Sequence, residues 1–274
     1  MYIYAVRVAS CIGLLSLGLV CQANAQEASD ASPPSAQGWR VDLGAAVLTH
    51  PLYPGSKIER VLPLPSIEAH YGDRFFASLP EGVGYNLFRW NGFEAGPVAN
   101  FAFPRNESDK RAALKGLGNI DLTIEGGGFV RYDFGPFASA KVEARQGLNG
   151  NKGLVVDTSL ELKAPPLLNN RLFLSAGPRF SYYDHSYAQA YFGVTKIQSV
   201  RSGYAPFRAG DGDKASIGLA AAYRVSDRLT WTAFGDYGRL DGDIAKSPIV
   251  RGPYGSRDQY SVGSAVTYRF NFGN

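Results

Sequence analysis

Sulfur is almost absent from this sequence: its 274 residues include two cysteines and one methionine. Cys11 and Cys21 both fall in the first 25 residues. The rest of the chain therefore has no thiol for a disulfide, a thiolate metal site or a redox pair. Charge is scarce as well. Asp, Glu, Lys and Arg make up 19% of the chain, 28 basic residues against 24 acidic. So small and dispersed a basic excess excludes the concentrated patch of a nucleic-acid-binding protein. No apolar run reaches the ~20 residues of a spanning helix. With 32 glycines and 16 tyrosines, the composition also works against helix interiors. What is abundant is apolar and aromatic: 45% hydrophobic residues and 13% Phe, Trp and Tyr, too much for a disordered chain.

Residues 1–25 read as a cleaved secretory signal peptide. Arg7 supplies its positive charge, Ile12 to Val20 its short apolar core, and Ala23-Asn24-Ala25 the small-x-small cleavage pattern. Both cysteines would leave with it. Residues 26–38, rich in Ser, Ala, Pro and Gln, read as a flexible periplasmic linker, and 39–274 as one domain.

From Trp39 onward the hydrophobicity has a period of two. Trp39, Val41, Leu43, Ala45 and Val47 share one face, with Arg40, Asp42 and Gly44 on the other. At the far end Tyr260, Val262, Val266, Tyr268, Phe270 and Phe272 oppose Gln259, Ser261, Thr267, Arg269 and Asn271. The same alternation recurs over 137–146, 153–164 and 228–238, in segments of about ten residues. A soluble sandwich with one buried face would also alternate. However, aromatics cluster near the segment ends (Trp39, Tyr71, Trp90, Tyr132, Tyr182, Tyr223, Phe272), where interfacial girdles lie. Without an apolar helix, a closed sheet is the only spanning structure available. The expected fold is all-β: a transmembrane antiparallel up-and-down β-barrel in the outer membrane of a Gram-negative bacterium.

Short turns at 71–73, 90–92, 133–136, 165–170 and 226–227 alternate with longer excursions at 50–59, 105–118, 147–152, 183–214 and 239–257. Barrels of this kind pair short periplasmic turns with longer external loops. Strict alternation requires Pro80-Glu81-Gly82 to be an external turn as well, which gives twelve strands with both termini periplasmic. If 74–90 were one kinked strand, there would be eleven.

Several phrases carry a family likeness. They are Leu52-Tyr53-Pro54-Gly55-Ser56 after the first strand, Gly82-Val83-Gly84-Tyr85 with Gly96-Pro97, and Arg105 before a polar loop. The most specific is the run from Leu240 through Asp241, Gly242, Asp243, Ser247 and Pro248 to Val250. In order and position these phrases resemble the MltA-interacting protein/outer-membrane protein V (MipA/OmpV) family across residues 38–274. The resemblance implies an outer-membrane barrel. The family's named member is regarded as a scaffold joining a murein lytic transglycosylase to a murein synthase, and other members look like porins or surface antigens. No catalytic motif comes with the likeness.

The candidate chemistry lies on the lumen face. By alternation this face takes Asp42, Glu68, His70, Glu125 and Arg131, then Lys141, Glu143, Arg145, Asp157 and Glu161, then Lys163, Arg179, Asp236 and Arg269. Charges of both signs in a narrow lumen must pair to be tolerated, giving either a cross-braced closed interior or a narrow polar channel. Ser66, Glu68 and His70 share one strand face and could be read as the triad of a lipid hydrolase. Two-residue steps of nearly 7 Å put them too far apart for direct hydrogen bonds, so no catalytic residue is expected. Asp211-Gly212-Asp213 and Asp241-Gly242-Asp243 lack the later bidentate Glu of a calcium loop and read as turns. Asp184-His185-Ser186 reads as a solvated loop. Gly126-Gly127-Gly128 follows no strand-to-helix switch that would cradle a phosphate; no metal and no cofactor are expected. The aromatic and basic residues of 183–214 suit contact with lipopolysaccharide or an inward-folding plug, the latter preferred, with a short helix over 186–194. The function expected is a non-enzymatic scaffold for murein enzymes, on the resemblance alone. The alternative is a small-solute channel, and the remote one a lipid hydrolase.

Overall fold

The computed structural model describes residues 38–272. The expected signal peptide, and the expected linker apart from Gly38, lie outside the described residues. One antiparallel sheet holds every strand. One part runs from β1 (Trp39–Pro51) through β2 (Glu59–Tyr71) and β3 (Phe75–Ser78) to β4 (Gly82–Tyr85). The other half is made of β5 (Phe88–Trp90), β6 (Phe93–Ala102), β7 (Thr123–Asp133), β8 (Ala138–Gly147) and β9 (Leu154–Lys163). It continues through β10 (Leu172–Tyr183), β11 (Gly212–Arg224), β12 (Leu229–Gly242) and β13 (Asp258–Phe272), which pairs back onto β1. Both β4 and β5 pair with β6, Val83 opposite Ala99 and Phe88 opposite Ala95. They are two halves of one wall strand, so the thirteen segments make a closed barrel of twelve strands. Closure removes free edges, the condition for crossing a bilayer with strands.

Facing follows the period-two pattern. Leu43, Val47, Val262 and Val266 are exposed on the lipid side, while Asp42, Glu125, Arg145 and Arg179 are buried in the lumen. One polar pair on the lipid face is satisfied within the wall: the Trp231 indole donates to Ser264 Oγ at 2.8 Å. Aromatics ring the periplasmic end, with Trp39 5.1 Å from Tyr71 and 5.6 Å from Phe75. At the external end Tyr237 lies 5.0 Å from Tyr260. Inward-facing glycines let neighbouring strands approach closely. A Cβ on Gly127 would stand 1.9 Å from the Ala144 carbonyl oxygen, so only a glycine lets the β7 and β8 backbones come this close. Of the Gly126–Gly128 run, only Gly127 is hemmed in this way; nothing comes closer than 3.4 Å to a Cβ at the other two.

The β3–β4 hairpin turns on the external side but stops well below the rim. β3 pairs only with Glu68 to Tyr71 of β2, and Glu81 at its tip lines the lumen instead of reaching outside water. The long external loops fold inward. The 184–211 loop forms α2 (His185–Phe192) and α3 (Lys196–Ser202), the 103–122 loop forms α1 (Arg111–Leu114), and the last loop forms α4 (Pro248–Arg251). Asp184 caps α2 by accepting from the Tyr187 amide at 2.9 Å, and Thr195 and Gln198 form a capping box on α3. Strand β12 runs through Gly242, so the Asp241-Gly242 part of the expected 239–257 loop belongs to the wall.

Candidate functional site: a plugged, charge-braced lumen

Three layers fill the barrel. The outermost is a plug made by four external loops. On one side Tyr183, Tyr187, Tyr191, Phe192, Ile244 and Val250 pack together; on the other Leu52, Tyr53, Leu114, Leu117 and Ile249 do. Tyr187 stacks on Tyr183 at 4.6 Å. Ser247 ties two loops: its hydroxyl donates to the Phe192 carbonyl at 2.6 Å and accepts from the Ile249 amide. Arg105 reaches across to the Tyr191 carbonyl at 2.9 Å, and burial pulls its guanidinium down to about 10. Burial likewise pushes the Tyr53 and Tyr191 phenols up to about 12. Glu107 accepts the Gly116 and Gly118 amides, which hold its carboxyl below the ordinary value.

Beneath the plug is a belt of ion pairs. Arg145 on β8 stands among three carboxylates: Glu125 on β7 at 2.9 Å, Asp157 on β9 at 2.8 Å, and Glu143 on its own strand. Lys141 also pairs with Glu143, at 2.7 Å. Ser181 donates to Asp157, and Lys214 faces Asp236 at 3.8 Å. These groups meet because β7, β8 and β9 are adjacent and their inward residues share a level, with Arg145 opposite Val155 and Glu143 opposite Asp157. Charges so removed from water persist only with such pairing.

The third layer, toward the periplasm, is more open. A cavity of about 230 Å³ lined by Arg40, His70, Glu94, Arg131 and Lys141 extends to the turn residues Gly72 and Asp73. Arg131 pairs with Asp133 at 3.1 Å, and Arg269 grips Asp42 with two 2.9 Å bonds. Glu161 lies 3.6 Å from Lys163 and accepts from Ser139. Arg179 is buried on the lumen face of β10.

Glu68 and His70 are in direct contact, His70 Nε2 lying 2.7 Å from Glu68 Oε1. This corrects the expectation that residues two apart on a strand stand too far from each other. Backbone spacing fixes the Cβ atoms, and two long side chains can still lean together. The triad does not follow, because Ser66 and His70 line different cavities. The Asp-Gly-Asp segments also come together, Gly212 opposite Gly242 and Asp213 opposite Asp241. Yet Lys246 and Arg257 take Asp243 and Asp241 as partners, and no group of three potential metal ligands occurs among the described residues. His185 is exposed at the start of α2. Sequence reasoning missed the plug's polar ties. Arg105, Ser247 and Glu107 lie in aperiodic loops, and only the family-like phrases around Arg105 and Ser247 marked two of them.

A closed twelve-stranded sheet with a lipid-facing apolar band, two aromatic girdles and a charged interior defines an outer-membrane β-barrel. A family model described as MltA-interacting protein MipA matches residues 43–270, and the chain belongs to that family. Curated relatives include the outer membrane protein YiaT of Escherichia coli (strain K12), 24% identical over 94% of this chain and 97% of the relative. Outer membrane protein OmpV of Vibrio cholerae is 27% identical over 73% of this chain and 76% of its own length. Among solved structures, the NanC porin aligns over 84% of this chain and all of its own, with a TM-score of 0.44 and 9% identity.

Proposed function

We propose that this barrel is a non-enzymatic envelope protein whose lumen is closed from the outside and whose periplasmic rim engages a murein lytic transglycosylase. The observation that carries the closed state is the plug, in which Tyr191, Phe192, Ile244 and Ile249 are almost wholly buried within the external mouth. A mouth filled by packed aromatics, above a belt of paired charges, supports a closed lumen. The partner comes from the description of the matching family, and a murein synthase is proposed as a further member of the same assembly. Murein enzymes act on the periplasmic side, where this chain offers short turns. The most prominent turn carries Leu168, Asn169 and Asn170 in left-handed conformations, with Leu168 exposed. A stable interface needs roughly 1,200–2,000 Å² in total, so the turns must act together with the 26–38 linker. The external loop surface and the apolar wall meet lipopolysaccharide and phospholipid.

Retention of lytic transglycosylase on the immobilised barrel tests this reading. It should fall when Leu168→Asp is combined with removal of 26–38; absence of retention by the intact barrel overturns the scaffold. A second reading, a gated small-solute channel, is favoured by the mixed-charge cavity that reaches the periplasmic turns. In planar bilayers the proposed closed barrel passes no steady unitary current, and removing residues 185–210 opens one. Steady currents through the intact protein would support the channel against it.

A further inference from the structure

A second cavity lies in the same half of the barrel. It measures about 120 Å³, and its inner wall includes Ala46, Leu48, Leu64, Phe234 and Ala265. It is also bounded by Pro65, Ile67, Leu79 and Pro80. Pro65 and Ile67 belong to the lipid-facing set of β2, opposite Ala45 and Leu43, and Ile67 is exposed on that side. One cavity thus touches residues from both faces of the wall. It lies where the edge of β2 has no partner strand among the described residues.

Sheet pairing explains the opening. Only Glu68 to Tyr71 of β2 have partners on β3. From Glu59 to Ile67 that edge of β2 meets no strand among the described residues, because the β3–β4 tip ends beside it. Two prolines, Pro63 and Pro65, stand on this stretch. Proline lacks a ladder donor and is at home on such an edge. Higher up the loop returns to β2, where Arg60 pairs with Asp109 at 3.4 Å. The opening is therefore a bounded side window.

Its height places it in hydrocarbon. Ile67 is four residues above Tyr71, about 13 Å along the strand at ~3.3 Å per residue, and Tyr71 belongs to the periplasmic girdle with Trp39. The apolar band of such barrels is about 25 Å tall. Val61 and Val83, on the lipid-facing wall to either side, are exposed. A window at that level opens on acyl chains. Since a cavity needs roughly 10–15 Å³ to hold one water, this one has room for several methylene groups.

We propose that the window is a lateral binding site for a hydrocarbon chain, entered from the bilayer between β2 and the β3–β4 tip. The chain end lies against Leu48, Leu64 and Phe234, and the Asp42–Arg269 pair and Ser66 bound the polar side of the pocket. The chain comes from a phospholipid of the surrounding leaflet or from a free fatty acid.

Photolabelling tests this with the full-length barrel in phosphatidylethanolamine vesicles. One arm uses a phospholipid carrying a diazirine at its acyl terminus; the other uses a diazirine fatty acid. Peptide mapping should place label on lumen-facing Ala46, Leu48 or Phe234 as well as on lipid-facing Val262 and Val266. Which arm gives lumen label identifies the source. In Ala265→Trp, which fills the cavity, lumen label should drop about tenfold, the equivalent of about two excluded methylene groups, with lipid-facing label unchanged. Ala46→Phe fills the pocket from β1 and serves if the first variant fails to fold. Label confined to lipid-facing positions in both arms, or lumen label that survives both fillings, overturns the proposal.

Discussion

Arg145 and Glu125 face each other across β8 and β7 with 2.9 Å between Nε and Oε2, each almost wholly buried. The guanidinium is shared with Asp157 and Glu143, so one cation contacts three acids.

Replacing Arg145 by Met should therefore cost more than a typical surface pair. Breaking a buried pair costs about 3–5 kcal/mol, because the remaining charge stays uncompensated. Unfolding in urea and detergent, followed by tryptophan fluorescence, should show the loss. Adding Glu125→Gln to Arg145→Met should recover part of it. Equal stability of all three proteins would show that water reaches the belt freely.

Ser247→Ala should loosen the plug while leaving the wall intact. The variant leaves the Phe192 carbonyl without its donor in a buried site, worth about 1–3 kcal/mol of local opening. Amide exchange should rise over residues 185–203 and stay unchanged in β7 to β9. Uniform exchange across the chain would contradict the latch role.

The tyrosines give a spectroscopic test of plug integrity. With the Tyr53 and Tyr191 phenols raised to about 12 by burial, the folded state favours their neutral forms. Their contribution is fully present below the unfolded value near 10 and is lost as pH rises through 12. Ultraviolet titration should resolve an earlier class of phenols and a later class, Tyr53 and Tyr191 among them, that ionises as the plug opens. One transition near 10 for all tyrosines would mean that the mouth is wet.

Gly127→Ala tests the wall. Its Cβ would meet the Ala144 carbonyl oxygen at 1.9 Å, so β7 and β8 must separate locally. Overpacking of this kind costs about 1–3 kcal/mol, read as a lower urea midpoint. Gly126→Ala, with nothing within 3.4 Å, is the matched control and should remain near wild type.

The wall was largely legible because its code is local. In β13 the alternation of Tyr260, Val262 and Val266 with Gln259, Thr267 and Arg269 gives the strand and both faces from neighbouring residues. Parity of turns forced Pro80-Glu81-Gly82 into a hairpin and hence twelve strands. Period two assigns a face but neither a height nor a partner, so the meeting of Arg145 with acids from two other strands was out of reach. The Glu68–His70 contact escaped for a related reason: Cβ spacing says little about where long side chains end. The plug has no period at all. Arg105 and the Tyr191 carbonyl are 86 positions apart, and only the folded chain joins them.

The first and last external loops are tied to each other. The Gly55 amide donates to Gln259 Oε1 at 2.9 Å across 204 positions, and Ser56 bridges to Gly255. Both ties cross the seam at which β13 pairs with β1. The lacing of the mouth and the closure of the wall therefore share one boundary, and a change that parts this seam would loosen the external loops with it.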